Sequence, residues 1–239
     1  MNTVLNTIRH YSRAFTYIKA IEGRRYFLFS GIIGVIIFVV LSWVIKSNCS
    51  LLTDMLSRFV TIDIAWLRGV ANLFSGALMT LFFLIVYKYL VLICTAPLMS
   101  RLSAELEMHH SGIPTASDGF VSDLIRGIRI SVRNIFRELG LSLIILVISF
   151  FPMIGIISSP MIFLIQGFYA GFGNFDYWAE RHLTYRGTVD YMRDHKIMLT
   201  SHGMIFVLLL AIPIVGAIIG PPLATAASTM HALEKGYDR

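Results

Sequence analysis

The stretch Pro152-Met153-Ile154-Gly155-Ile156-Ile157-Ser158-Ser159-Pro160 has a second copy in Pro213-Ile214-Val215-Gly216-Ala217-Ile218-Ile219-Gly220-Pro221, with the same Pro-x-x-Gly-x4-Pro spacing. Proline removes a helical N–H and clashes with the preceding turn, and the neighbouring glycine loosens the hydrogen-bond ladder. Each copy therefore predicts a bend inside a long apolar run. The bends leave halves at 139–151 and 161–173, and at 203–212 and 222–233. Crossing the hydrocarbon core takes about 20 apolar residues, whereas runs of roughly 10 to 14 suit buried or re-entrant segments. The expectation is two helical hairpins that enter a membrane and return to the same side.

Composition points the same way. Of 239 residues, 56% are hydrophobic and 14% charged, with a mean hydropathy of +0.73. That is more apolar material than a soluble domain of this size carries, so a single all-α membrane domain over residues 1–239 is expected. The formal charge of +6 fits Lys and Arg held on the cytoplasmic side against anionic lipid better than a nucleic-acid partner. Cys49 and Cys94 form no metal or disulfide pattern. The first apolar run starts after a polar stretch and is too long for a signal-peptide core.

Residues 2–20 place Val4, Ile8, Tyr11, Phe15 and Ile18 on one face of a helix, with Arg9, Arg13 and Lys19 elsewhere. Such a basic amphipathic helix suits a membrane surface or a partner subunit. A first span is expected over 26–45 and a second over 70–96, joined by a mixed polar segment at 46–69. Pro97 marks a bend, after which Leu98, Leu102 and Leu106 keep helical spacing through Ser100 to His110. A loop at 111–119 leads into a second basic amphipathic helix, in which Arg126, Arg129, Arg133 and Arg137 oppose Phe120, Leu124, Ile128, Val132 and Ile135. The segment 174–202 is polar, with Thr184 as N-cap of a helix reaching about Met198.

Basic residues set the expected orientation. Five precede the first span, five lie between the second span and the first hairpin, four between the hairpins, and only three in 46–69. The positive-inside bias then puts both termini in the cytoplasm. Six full spans would place every loop on the same sides; only the shortness of the hairpin halves favours two spans plus two re-entrant hairpins.

Few residues carry chemistry. Lys88, inside the second apolar run between Tyr87 and Tyr89, reads as an interfacial lysine reaching for the headgroups or as an intramembrane functional charge. Asp176 reads as an ion-pair partner for an arginine of the 126–137 helix or as a substrate contact. Asn72, Lys88 and Gln166 are the main polar groups available to an ion path. No metal-ligand spacing, catalytic grouping, cofactor motif or phosphate-binding glycine loop occurs, so neither an enzyme nor a cofactor is expected. Gly23-Arg24-Arg25 opens the first span. A helix N-terminus with two guanidiniums and a closely approachable glycine backbone suits a tetrahedral oxyanion; two basic residues before a span are also what the positive-inside bias produces.

The run Gly23-Arg24-Arg25-Tyr26-Phe27-Leu28, Pro97-Leu98 with Leu102, Glu105 and Glu107, Phe175-Asp176-Tyr177 and the repeated Pro-x-x-Gly break together resemble the CysZ-type sulfate permease family, also called the etoposide-induced protein family. The resemblance implies two long spans, two hemi-penetrating hairpins and a homo-oligomer in a bacterial inner membrane. It also implies uptake of sulfate or a related oxyanion for cysteine biosynthesis, with the anion held at Gly23, Arg24 and Arg25. Ser30 stands where a proline is expected, and Gly23 abuts Arg24 directly, which shifts weight from backbone to arginines in that site. The rival expectation is a non-transporting scaffold that shapes the bilayer with amphipathic helices and half-penetrating wedges.

Overall fold

A computed structural model describes residues 2–59, 65–112, 119–148 and 152–234. These residues form helices α1 (Asn2–Ala20), α2 (Arg24–Phe59), α3 (Ala65–Ser111), α4 (Phe120–Ile148), α5 (Pro152–His182), α6 (Tyr185–Asp194), α7 (Lys196–Leu210) and α8 (Pro213–Glu234). No strand occurs among them. Two stretches are long and apolar enough to cross a membrane, Arg24–Val44 and Thr80–Ser111. The first turns Leu28, Phe29, Ile32, Ile36, Val39, Val40 and Trp43 outward, the pattern of a helix whose solvent on that side is not water.

The hairpins differ from the expected bends in where the chain turns. α5 and α8 each begin at the first proline of the repeat, Pro152 and Pro213, and run on through Pro160, Pro221 and Pro222. Proline at the first helical position gives up an N–H that has no partner there anyway. In the second hairpin the turn therefore lies ahead of the repeat, at Ala211 and Ile212; residues 149–151, ahead of the first copy, lie outside the described residues. Gly155 and Gly216 sit inside the helices. At Gly216 a Cβ would come within 1.9 Å of the Leu209 carbonyl oxygen, so this glycine allows the two arms to close rather than loosening a ladder.

Internal prolines are tolerated because other groups bond the backbone around them. Pro221 cannot donate to the Ala217 carbonyl, and the buried Ser30 hydroxyl of α2 does so instead, at 2.9 Å. α3 likewise continues through Pro97, where Thr95 Oγ1 donates to the Val91 carbonyl at 2.7 Å and Tyr177 Oη to that of Leu92 at 3.3 Å. The segment expected as a polar connection at 46–69 extends α2 to Phe59 and starts α3 at Ala65, with 60–64 outside the described residues.

The tightest crossing joins α5 to α7. Cβ atoms built at Gly171 and Gly203 would fall 1.9 Å from Leu199 O and 1.7 Å from Gly167 O. This Gly-x-x-x-Gly contact brings backbones together as membrane helices do. α1 packs on α8 through His10, Ala14 and Ile18, leaving Val4, Leu5, Ile8 and Phe15 exposed. Thr184 caps α6, accepting from the Gly187 N–H at 3.3 Å, and the helix ends at Asp194, one residue before the turn into α7.

Candidate functional site

Gly23, Arg24 and Arg25 form the corner between α1 and α2. The Gly23 N–H donates to the Ile18 carbonyl at 2.9 Å, Arg24 N–H to Glu22 O at 2.9 Å, and Tyr26 N–H to Gly23 O at 3.1 Å. Three backbone donors here are thus spent on the turn. A Cβ at Gly23 would lie 2.8 Å from Ile18 Cγ2, so packing of the corner already accounts for the glycine. Arg24 is exposed; Arg25 is mostly exposed, pairs with Glu105 of α3 and lies 5.2 Å over the Tyr26 ring. What the corner offers an anion is side-chain charge at the mouth of the first span.

Lys88 does not reach for an interface. Its Nζ lies 2.6 and 2.5 Å from the two carboxylate oxygens of Glu138 on α4, and Tyr89 Oη donates to Glu138 Oε2 at 2.8 Å. The side chains are 5% and 0% exposed. Two charges removed from water hold together only when paired and hydrogen-bonded, and this carboxylate accepts three hydrogen bonds from two donor groups. Glu138 follows directly on Arg137 at the edge of an apolar run, where sequence reading took the basic face of α4 and passed over its one acid in that turn.

That basic face lies against α5. Arg126 pairs with Glu180, and the Arg133 guanidinium stacks 4.8 Å over Phe172. With Asp176, Glu180 and Thr188 these arginines and Arg129 line a cavity of about 150 Å³. Asp176 is buried and feels both Arg126 and Arg133, so the arrangement brings it to the arginine helix.

The family described as Sulfate transporter CysZ/Etoposide-induced protein 2.4 matches residues 10–221. The chain belongs to this family. No curated protein matches the chain. The chain is thus a membrane protein of the CysZ family, and the matched span contains the Gly23 corner, Lys88, Glu138, the α4 arginines and Asp176.

In this CysZ-family chain the polar ends of the helices interlock beneath these groups. Glu107 of α3 accepts from Arg181 Nε and Nη2 at 3.0 and 2.9 Å and meets His182 Nε2 at 2.7 Å. His202 Nε2 lies 2.8 Å from His231 Nδ1, and His10 stacks on His231 at 4.6 Å. Burial lowers the His10 imidazole below its usual range against the pull of Glu234, with Arg9 and Arg13 acting in the same direction as burial. These histidines lie on three helices, so no local spacing announced them. Gln166 is buried on α5; the Asn72 side chain lies outside the described residues.

Proposed function

We propose that this CysZ-family protein is an oxyanion permease or channel, with sulfate its main substrate, acting in a bacterial inner membrane as a homo-oligomer with both termini in the cytoplasm. The observation that carries the reading is the enclosed Lys88–Glu138–Tyr89 group inside the second span of a chain whose family is one of sulfate transporters. Charged groups at membrane depth are costly and mark ion pathways. Arg24 and Arg25 would concentrate the dianion at the mouth of the first span, and the polar helix ends would carry it onward. α7 has 15 residues, about 22 Å at ~1.5 Å per residue, short of a ~30 Å hydrocarbon core. That length supports partial penetration at α7 alone; the expected short halves are not found in the other arms, since α4, α5 and α8 have 29, 31 and 22 residues, enough to cross at ~1.5 Å per residue.

Uptake of labelled sulfate into proteoliposomes should fall about tenfold in Arg24→Ala/Arg25→Ala, the loss expected when charge-assisted contacts go. Unchanged uptake in a folded double variant would remove the corner from the pathway.

A scaffold reading draws on one specific observation, the exposed apolar stripes of α1 (Val4, Leu5, Ile8, Phe15) and α4 (Val121, Ile125, Ile128, Val132, Phe136). Such stripes suit insertion into one leaflet. Tubulation of vesicles without anion flux would favour it.

A further inference from the structure

Beside the arginine face of α4 lies a second, larger cavity of about 370 Å³, between α4, α5, α6 and the start of α7. Arg133 and Arg137 enter it from α4, Arg193 from the end of α6 and Lys196 from the first residue of α7; among the described residues no carboxylate lines it. Arg137, Arg193 and Lys196 have no ion pair among the described residues. Glu138 and Glu180 are committed elsewhere, to Lys88 and Arg126, and Asp190 and Asp194, on the same helix as Arg193, do not line the cavity. Four cations facing one space repel each other unless an anion joins them.

A second observation points to the same ligand chemistry. Asn134, one residue from Arg133, also lines the cavity; it is 1% exposed, and its amide Nδ2 has no hydrogen-bond partner in the protein. Its Oδ1 is turned to Arg133 Nη2 at 3.5 Å, which leaves two N–H donors for something else. A buried donor without an acceptor carries a desolvation cost that a bound acceptor removes. Phe168, Tyr169 and Phe172 wall the opposite side, lowering the local dielectric and strengthening any charge-assisted bond made there.

We infer that this cavity is a binding site for a tetrahedral oxyanion, held by Arg137, Arg193, Lys196 and the Asn134 amide and separate from the Gly23–Arg25 corner. The chemistry fits free sulfate or phosphate and equally the phosphate of an anionic lipid headgroup. The site does not depend on transport; it needs Arg137, Arg193, Lys196 and the Asn134 amide.

The test uses the full chain in nanodiscs of zwitterionic phosphatidylcholine, titrated with sodium sulfate or inorganic phosphate by calorimetry, beside native mass spectrometry of protein taken from membranes. Arg137→Gln/Arg193→Gln changes two exposed side chains, and Arg193→Lys keeps the charge as a folding and function control. The expected result is a saturable oxyanion-binding component that weakens at least about tenfold in the double variant, is largely kept in Arg193→Lys and persists in Arg24→Ala/Arg25→Ala, which removes only binding at the corner. Absence of free-anion binding together with a co-purifying anionic phospholipid that the double variant loses would also support the site, with a headgroup phosphate as its ligand. Neither ligand on folded wild-type protein, or equal binding by the double variant, overturns it. Binding without flux would leave the site standing and sink the permease reading; flux without binding here would do the reverse.

Discussion

Ser30 and Lys88 are each explained by a partner far away in sequence. The Ser30 hydroxyl fills the carbonyl that Pro221 leaves open, at Ala217, 187 residues along the chain. Ser30→Ala leaves a buried acceptor empty and should cost about 1–3 kcal/mol, read as a lower melting temperature in detergent; an unchanged melt would show that the carbonyl is satisfied some other way. For Lys88, removing one member of the buried pair is the severe change. Lys88→Met alone should destabilise by about 3–5 kcal/mol, while Lys88→Met/Glu138→Met together recover most of it. A double variant as unstable as the single would contradict the pairing. Both side chains stood out in the sequence, Lys88 as a charge in an apolar run and Ser30 as a departure from a family pattern. Their roles were not legible because the carboxylate and the carbonyl that explain them come from other helices.

Among the elements, the prolines show both the reach and the limit of a local reading. Pro152 and Pro213 do stand where helices start. Pro160, Pro221 and Pro222 do not end them; at Pro221 local propensity yields because a tertiary contact satisfies the freed Ala217 carbonyl. The 46–69 segment was misread for the opposite reason: residues 46–59 and 65–69 sit on helices that extend beyond the apolar runs. The glycines of the α5–α7 crossing went unread, since a Gly-x-x-x-Gly acquires meaning only when its partner helix is known. Two substitutions separate close packing from helix propensity. Gly203→Ala puts a methyl against the Gly167 carbonyl, at a distance real Cβ atoms do not tolerate, and should lower the melting point and loosen α7. Gly140→Ala meets nothing within 4 Å and should stabilise α4 by up to about 1 kcal/mol. Equal effects of the two on thermal unfolding would show that the crossing is not tightly packed.

At the scale of the whole molecule, two apolar helices able to cross a membrane stand beside a pair of helical hairpins, and their polar ends are tied together by Glu107, Arg181, His182 and the buried histidines. Mean hydropathy and run length made the membrane class legible from the start, because burying or shielding so much apolar surface is a property of the sum of residues. The candidate site was legible only in part. Arg24 and Arg25 were visible as charges at a helix start, whereas Glu138, Asn134 and the joining of α4 to α6 and α7 depend on how the helices meet. The proposed function requires that an oxyanion pass through this assembly. Flux of labelled sulfate into liposomes carrying the wild-type protein, measured against protein-free vesicles of the same lipid, tests it most directly. The account predicts saturable sulfate entry well above the protein-free rate; entry indistinguishable from protein-free vesicles, with the protein folded and inserted, would contradict it.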